Sequence, residues 1–192
     1  MIKDSGCRRE FDSGAVRDIQ EGKGRFDYMP LDVLAATLKD RIVWNMYYFQ
    51  MEGDLLYLDE IIADFCAKAF GNVDTGMLEV AIHFEEGAKK YSPWNWAKGI
   101  PVDSYIDSAM RHYFKWKRND KDERHDRAFL WNCLCMYYET IWKDKTCSTC
   151  RFFAGEPESQ LYQKCMKDGN DTTVHESHRC KFWKHQLNDT FK

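Results

Sequence analysis

Glu123 and Asp126 stand three residues apart in a segment, 122–143, whose apolar residues Leu130, Cys133, Leu134, Tyr137 and Ile141 recur at helical spacing. Plotted at about 100° per residue, both carboxylates fall inside that stripe rather than opposite it. An ionised carboxylate in a low-dielectric interior is costly unless it is paired, hydrogen-bonded or bound to a cation. The two acids therefore read as part of a cation site. Glu85 is placed in the same way. Met77, Leu78, Val80, Ala81, Ile82, Phe84 and Ala88 make an apolar stripe with Glu85 in its middle, while Glu79, His83, Glu86 and Lys90 lie opposite. If the two helices pack by these faces, Glu85, Glu123 and Asp126 converge, and clustered carboxylate oxygens are how proteins hold Mg²⁺ or Mn²⁺. Each acid also has a plainer account. Acids near a helix start are favourable in themselves, and Glu85 could pair with Arg111 or Lys89.

Other residues offer supporting chemistry. Asp107 is a further ligand or an orienting group for one, and His112 and His125 read first as boundary histidines. Gly22-Lys23-Gly24-Arg25 sets two cations among two glycines, a flexible backbone able to wrap a triphosphate. It is not a Walker A loop, because no Ser or Thr follows the lysine. Lys90, Lys98 and Arg111 are additional phosphate candidates. Trp94, Asn95 and Trp96 could stack a purine and read its edge, or simply pin a loop to the core.

The elements that must position these groups are helices. Residues 1–29 read as an extended, charged arm. Pro30 suits a first helical turn, and helical spacing continues through 43–51, 55–70, 74–91, 102–117 and 122–143, with a loop at 91–101. The expected fold is all-α: a helical bundle over 30–143 with an N-terminal extended arm and a small Cys-rich tail over 144–192. In that tail Cys147, Cys150, Cys165 and Cys180 could make a tetrahedral zinc site, with His175, His178 and His185 as substitutes. Unligated thiols are the rival.

A chain of 192 residues, 44% hydrophobic and 31% charged, suits one ordinary domain with an appendage. A net charge of −3 gives no global basic field, so duplex nucleic acid is not an expected partner. Neither a signal-type apolar run nor a membrane-length one is apparent, and the expected location is cytoplasmic, with no membrane partner.

Taken in order, the arm SGCRREFDSGAVRDIQEGKGRFDYMPLDVL, LEVAIHFEEGAKKY, WNWAKGIP, YIDSAMRHYFKW and DERHDRAFLWNCLC resemble the phage-type dATP/dGTP diphosphohydrolases, a branch similar to the all-α (MazG-like) NTP pyrophosphatases. The resemblance implies Mg²⁺-dependent hydrolysis of a deoxypurine triphosphate to monophosphate and pyrophosphate, in the host cytoplasm if the gene is a phage's, by a homo-oligomer. It also implies an ExxE and an ExxD metal motif. Glu123 and Asp126 match the second. For the first, helical face favours Glu85 and spacing favours Glu86, and either is the candidate base for the attacking water. Two rivals remain: a non-catalytic nucleotide- or partner-binding module, and a phosphohydrolase using HD-type ligands, for which only His125-Asp126 is visible.

Overall fold

Short polar side chains set where the helices begin. Asp40 accepts from the amides of Ile42 and Val43, Asp54 from Leu56 and Asn72 from Thr75, so each takes up first-turn donors that have no partner inside the helix. The helices that follow are α2 (Arg41–Glu52), α3 (Leu55–Phe70) and α4 (Val73–Tyr91), preceded by α1 (Leu31–Leu38) and followed by α5 (Val102–Lys117) and α6 (His125–Lys143). Gly53, at φ 70°, closes α2 in the left-handed region that glycine enters without strain. The computed structural model describes residues 6–143, 153–154, 162–165 and 172–175. It is all-α, as the periodicity predicts.

Met1–Thr140 form one unit and Ile141–Lys192 a second. In the first, α2 packs against α1, α3 and α5, and α3 against α4. Their shared core is built on Ile42, Met46, Leu58, Ile61, Phe65, Tyr105, Met110 and Phe129, all fully buried. Phe65 lies at its centre, with ring centroids 4.3 Å from Phe129 and 4.9 Å from Trp116. The arm is a short hairpin, β1 (Arg8–Glu10) antiparallel to β2 (Val16–Asp18), with Arg9 directly opposite Arg17. In the second unit β3 (Phe153–Ala154), β4 (Tyr162–Cys165) and β5 (Thr172–His175) form an antiparallel sheet in that order.

Two helices differ from their sequence reading. The buried face of α4 carries Gly76, Val80 and His83, with Met77 and Phe84 packed beside it, so only part of the broad apolar stripe turns inward. Leu78 is 74% and Ile82 39% exposed, so Glu85, beside Leu78, points to solvent and pairs with Lys89. Close approach decides this face: a methyl on Gly76 would lie 2.6 Å from Cys66 Sγ of α3, a separation only a bare Cα permits. The other difference is the start of α6, at His125 rather than 122. Glu123 is therefore outside the helix, and the i, i+3 geometry expected of Glu123 and Asp126 does not form.

Candidate active site

The hairpin arm, α4, the 3₁₀ turn Asn95–Lys98, α5 and the start of α6 enclose a cavity of about 460 Å³, ample for a nucleotide. Buried Asn95 fixes the arm as a neighbouring strand would. Its Oδ1 accepts from the Val16 amide at 2.9 Å and its Nδ2 donates to the Val16 carbonyl at 2.7 Å. Asp107, 1% exposed, does the same from α5, accepting from Gln20 Nε2 (2.6 Å), the Phe26 amide (2.8 Å) and Arg111 Nη1 (2.8 Å).

Charge in the cavity is unevenly matched. Asp18 faces Arg8 at 2.9 Å, Lys90 at 2.8 Å and Lys23 at 3.9 Å, Asp107 holds Arg111, and Asp122 holds Lys115 at 3.1 Å. Arg9 and Arg17 have no carboxylate within 4 Å among the described residues. Arg9 donates to Gln20 and Ser104, and Arg17 to Asn132 Oδ1 (3.1 Å) and the Ser104 carbonyl (3.2 Å). Arg17 also lies over the rings of Tyr105 and Trp131. Burial pushes the pKa of both guanidinium groups down, yet arginine keeps its charge in proteins. Like charges directly across a β-ladder repel. The hairpin thus places two sheltered cations side by side on the cavity wall, where an anion would satisfy both.

The wall next to Arg17 is aromatic. Phe84, Trp96 and Trp131 line it, with Trp96 edge-on to Phe84 at 5.4 Å. His83 Nδ1 and Trp131 Nε1 are buried on that wall without a hydrogen-bond partner among the described residues. Buried polar atoms are rarely left this way unless a ligand or water completes them. Burial pulls the His83 pKa down to about 4, so its ring is neutral at physiological pH.

Metal donors gather at one corner. His112, on α5, has its Nδ1 3.0 Å from Nδ1 of His125, and Glu123 Oε1 is 3.5 Å from each. Asp122 Oδ1 is 2.7 Å from His125 Nε2. A carboxylate only accepts, so the ring proton sits on Nε2 and the His125 Nδ1 lone pair faces the cluster. Burial, then the adjacent His125, holds His112 well below the usual histidine pKa. The other set of close donors among the described residues, Asp120, Asp122 and His125, shares Asp122 with the cavity lining, and its Asp120 is bonded to Arg118 at 2.5 Å.

Several expected site residues are therefore placed elsewhere. The carboxylate convergence does not occur: Glu85, Glu86, Asp107 and Asp126 belong to neither donor group, and neither Glu85 nor Glu86 lines the cavity. Asp126 is bound by Arg124 at 2.8 Å and by the Arg127 amide, and both arginines also reach Glu79 on α4. Burial opposes ionisation of Asp126, but Arg124 and the Arg127 amide overcome it and its pKa is lowered. An all-oxygen Mg²⁺ site does not fit the donor set that is present. Of the phosphate and base candidates, Lys23, Asn95, Trp96 and Arg111 line the cavity; Lys90 reaches it through Asp18. Arg25 instead pairs with Asp27, and Lys98 is exposed and bonds to the Gly14 carbonyl. Trp94 is 69% exposed. Cys147, Cys150 and Cys180 lie outside the described residues, and Cys165 is described only as the last backbone position of β4.

Arg9, Arg17, His83 and Trp131 were not legible as site residues, and His112 and His125 read first as boundary histidines, His125 also as half of an HD pair. Their one signal is the placing of Arg9 and Arg17 in short extended runs of a charged arm.

Residues 73–148 match the family model described as dATP/dGTP diphosphohydrolase, N-terminal. The match spans α4, α5 and α6 and so includes the aromatic wall and the His112, Glu123 and His125 corner, while the arginine-bearing arm lies before it. No curated protein and no solved structure matches the chain.

Proposed function

We propose that the helical domain hydrolyses a deoxypurine nucleoside triphosphate, dATP or dGTP, to its monophosphate and pyrophosphate, as the family's name and the cavity together suggest. The observation that carries the reading is the pair Arg9 and Arg17, cations opposite each other on the hairpin with no carboxylate within 4 Å among the described residues. A triphosphate supplies that balance. Charge-assisted bonds from guanidinium groups to phosphate oxygens are short, directional and strong. Lys23 and Arg111 extend the cationic side, and Asp107 holds Arg111 in position. The base would rest against Trp96, Phe84 and Trp131, with His83 Nδ1 and Trp131 Nε1 meeting its polar edge.

A divalent cation belongs to this reading; when bound it would neutralise phosphate charge and make a coordinated water more acidic. His112, His125 and Glu123 are the residues placed to hold one. The protein's own part is to fix the triphosphate in line for attack on the α-phosphorus and to hold the leaving pyrophosphate against cations. No nucleophilic side chain is needed. Cys66, Cys133 and Cys135 are buried, and burial raises the pKa of each thiol.

The kinship with MazG-like enzymes, the homo-oligomeric state and a structural zinc in the tail form part of the same proposal. Exposed Leu78 and Ile82 on α4 support an oligomer, which sedimentation would detect. Among the described residues no helix is long and apolar enough to cross a membrane.

The test is a panel of deoxynucleoside and ribonucleoside triphosphates with Mg²⁺ and with Mn²⁺, read by product analysis. Pyrophosphate and dAMP or dGMP are expected. Orthophosphate as first product would refute the reaction, and tight binding without turnover would favour the binding-module reading.

A further inference from the structure

We propose that His112, His125 and Glu123 form the metal centre of the cavity and that its resident ion is a first-row divalent transition ion rather than Mg²⁺. The three donor atoms are 3.0, 3.5 and 3.5 Å apart. With metal–ligand bonds of about 2.1 Å, adjacent donors of an octahedral or tetrahedral site are separated by roughly 3.0 to 3.4 Å. An ion therefore fits between these groups with shifts of only a few tenths of an ångström, by the same arithmetic.

Donor chemistry selects the ion. Magnesium demands oxygen ligands and keeps its waters, whereas imidazole nitrogen suits the transition ions. Two imidazoles and one carboxylate leave coordination positions open. Those positions face the cavity, because His112 and Glu123 line it while His125 is 1% exposed behind them. The outer layer is present as well: Asp122 fixes the His125 ring at 2.7 Å, and Lys115 holds Asp122 at 3.1 Å. Without a cation, the close Nδ1 atoms of two rings beside a carboxylate have only a single shared proton to join them.

This assignment deepens the proposed hydrolysis and rests on it only for what the ion does; binding is measured separately. Mn²⁺ is the probe, added to the full chain, because the tail cysteines favour softer ions. Titration followed by electron paramagnetic resonance is expected to show a site at least ten-fold tighter for Mn²⁺ than for Mg²⁺, with nitrogen coupling in the pulsed spectrum. His112→Ala and Glu123→Gln should each weaken Mn²⁺ at least ten-fold, and Asp122→Asn, acting through His125, about 10- to 100-fold. Circular dichroism confirms folding, and His112→Ala, at the cavity wall, serves if changes at buried His125 prevent it. Equal Mn²⁺ and Mg²⁺ affinity, absent nitrogen coupling, or unchanged affinity in folded His112→Ala would overturn the assignment. Mn²⁺ held by these residues without turnover removes the hydrolysis reading and leaves the centre standing. Mg²⁺-driven turnover unaffected by His112→Ala does the reverse.

Discussion

At the scale of single residues, the cavity is organised by charges that are incomplete in the protein alone. Arg17 illustrates the consequence. Its guanidinium bonds to neutral oxygens, so Arg17→Met removes a sheltered charge without orphaning a carboxylate. Replacing such a charge with an apolar side chain is frequently tolerated, whereas losing a bond to phosphate costs about 1.5–3 kcal/mol. The expected outcome is an unchanged or slightly raised Tm without nucleotide, and a loss of about 10- to 100-fold in kcat/KM for the triphosphate, by the same bond energy. A fall in Tm with unchanged kinetics would reassign Arg17 to the scaffold. The two acids that look equivalent in sequence should also separate. Glu123→Gln is expected to lower kcat at least ten-fold, because Glu123 lines the cavity. Asp126→Asn should leave kcat within two-fold and lower stability instead, by about 1 kcal/mol, since Asp126 is tied to Arg124 away from the cavity. Parallel kinetics and urea denaturation of the two variants decide between these roles.

At the scale of elements, the site depends on how helices start and how closely they approach. Asp40 caps α2 and also accepts from Tyr113 Oη at 2.8 Å and Lys117 Nζ at 2.7 Å on α5. Burial works against its ionisation, but Lys117, Tyr113 and the Val43 amide overcome it and hold its pKa below the ordinary 3.8. A pKa lower in the folded state gives stability that is present above the unfolded value and lost as pH falls through the folded one. Asp40→Ala should therefore cost about 2–4 kcal/mol at pH 7, from a lost cap and a stranded Tyr113 hydroxyl. The gap from the parent should narrow in urea melts carried below the unfolded pKa of 3.8. The α3–α4 approach is tested by Gly76→Ala. Alanine is the better helix former by about 1 kcal/mol. The new methyl would nevertheless meet Cys66 Sγ at 2.6 Å and Phe70 at 3.2 Å, in a place where Cys66 is fully buried. Overpacking of this kind costs about 1–3 kcal/mol, so a net loss is expected, recovered in part by Cys66→Ala in the same chain. Additive effects in the double variant would place the strain elsewhere.

At the scale of the whole molecule, a chain of net charge −3 gathers Arg9, Arg17, Lys23, Arg111 and Lys115 into the lining of one cavity. The zinc site proposed for the tail is tested separately. Elemental analysis of the purified full chain is expected to find one zinc per chain, lost on changing Cys147 and Cys150 to Ser; metal-free protein with intact thiols would exclude it. The sequence by itself determined the helices. The spans 55–70 and 102–117 agree with α3 and α5 at both ends, because 3.6-residue periodicity and capping side chains are local properties. Asn95, Trp96 and Lys23 were legible as base or phosphate candidates because their types sit in loop and arm punctuation, and Arg111 only by its charge. Only the tertiary structure decided which acids matter. Glu85 follows the Leu78 side of the α4 stripe, and that side is wet because bare Gly76 and Val80 are what fit against α3. His112 and His125 are 13 residues apart on different helices, and Arg9 is 95 residues from the Ser104 it touches. A donor set assembled across such distances leaves no periodic trace. Packing, by choosing which face of each helix turns inward, made the cavity's chemistry.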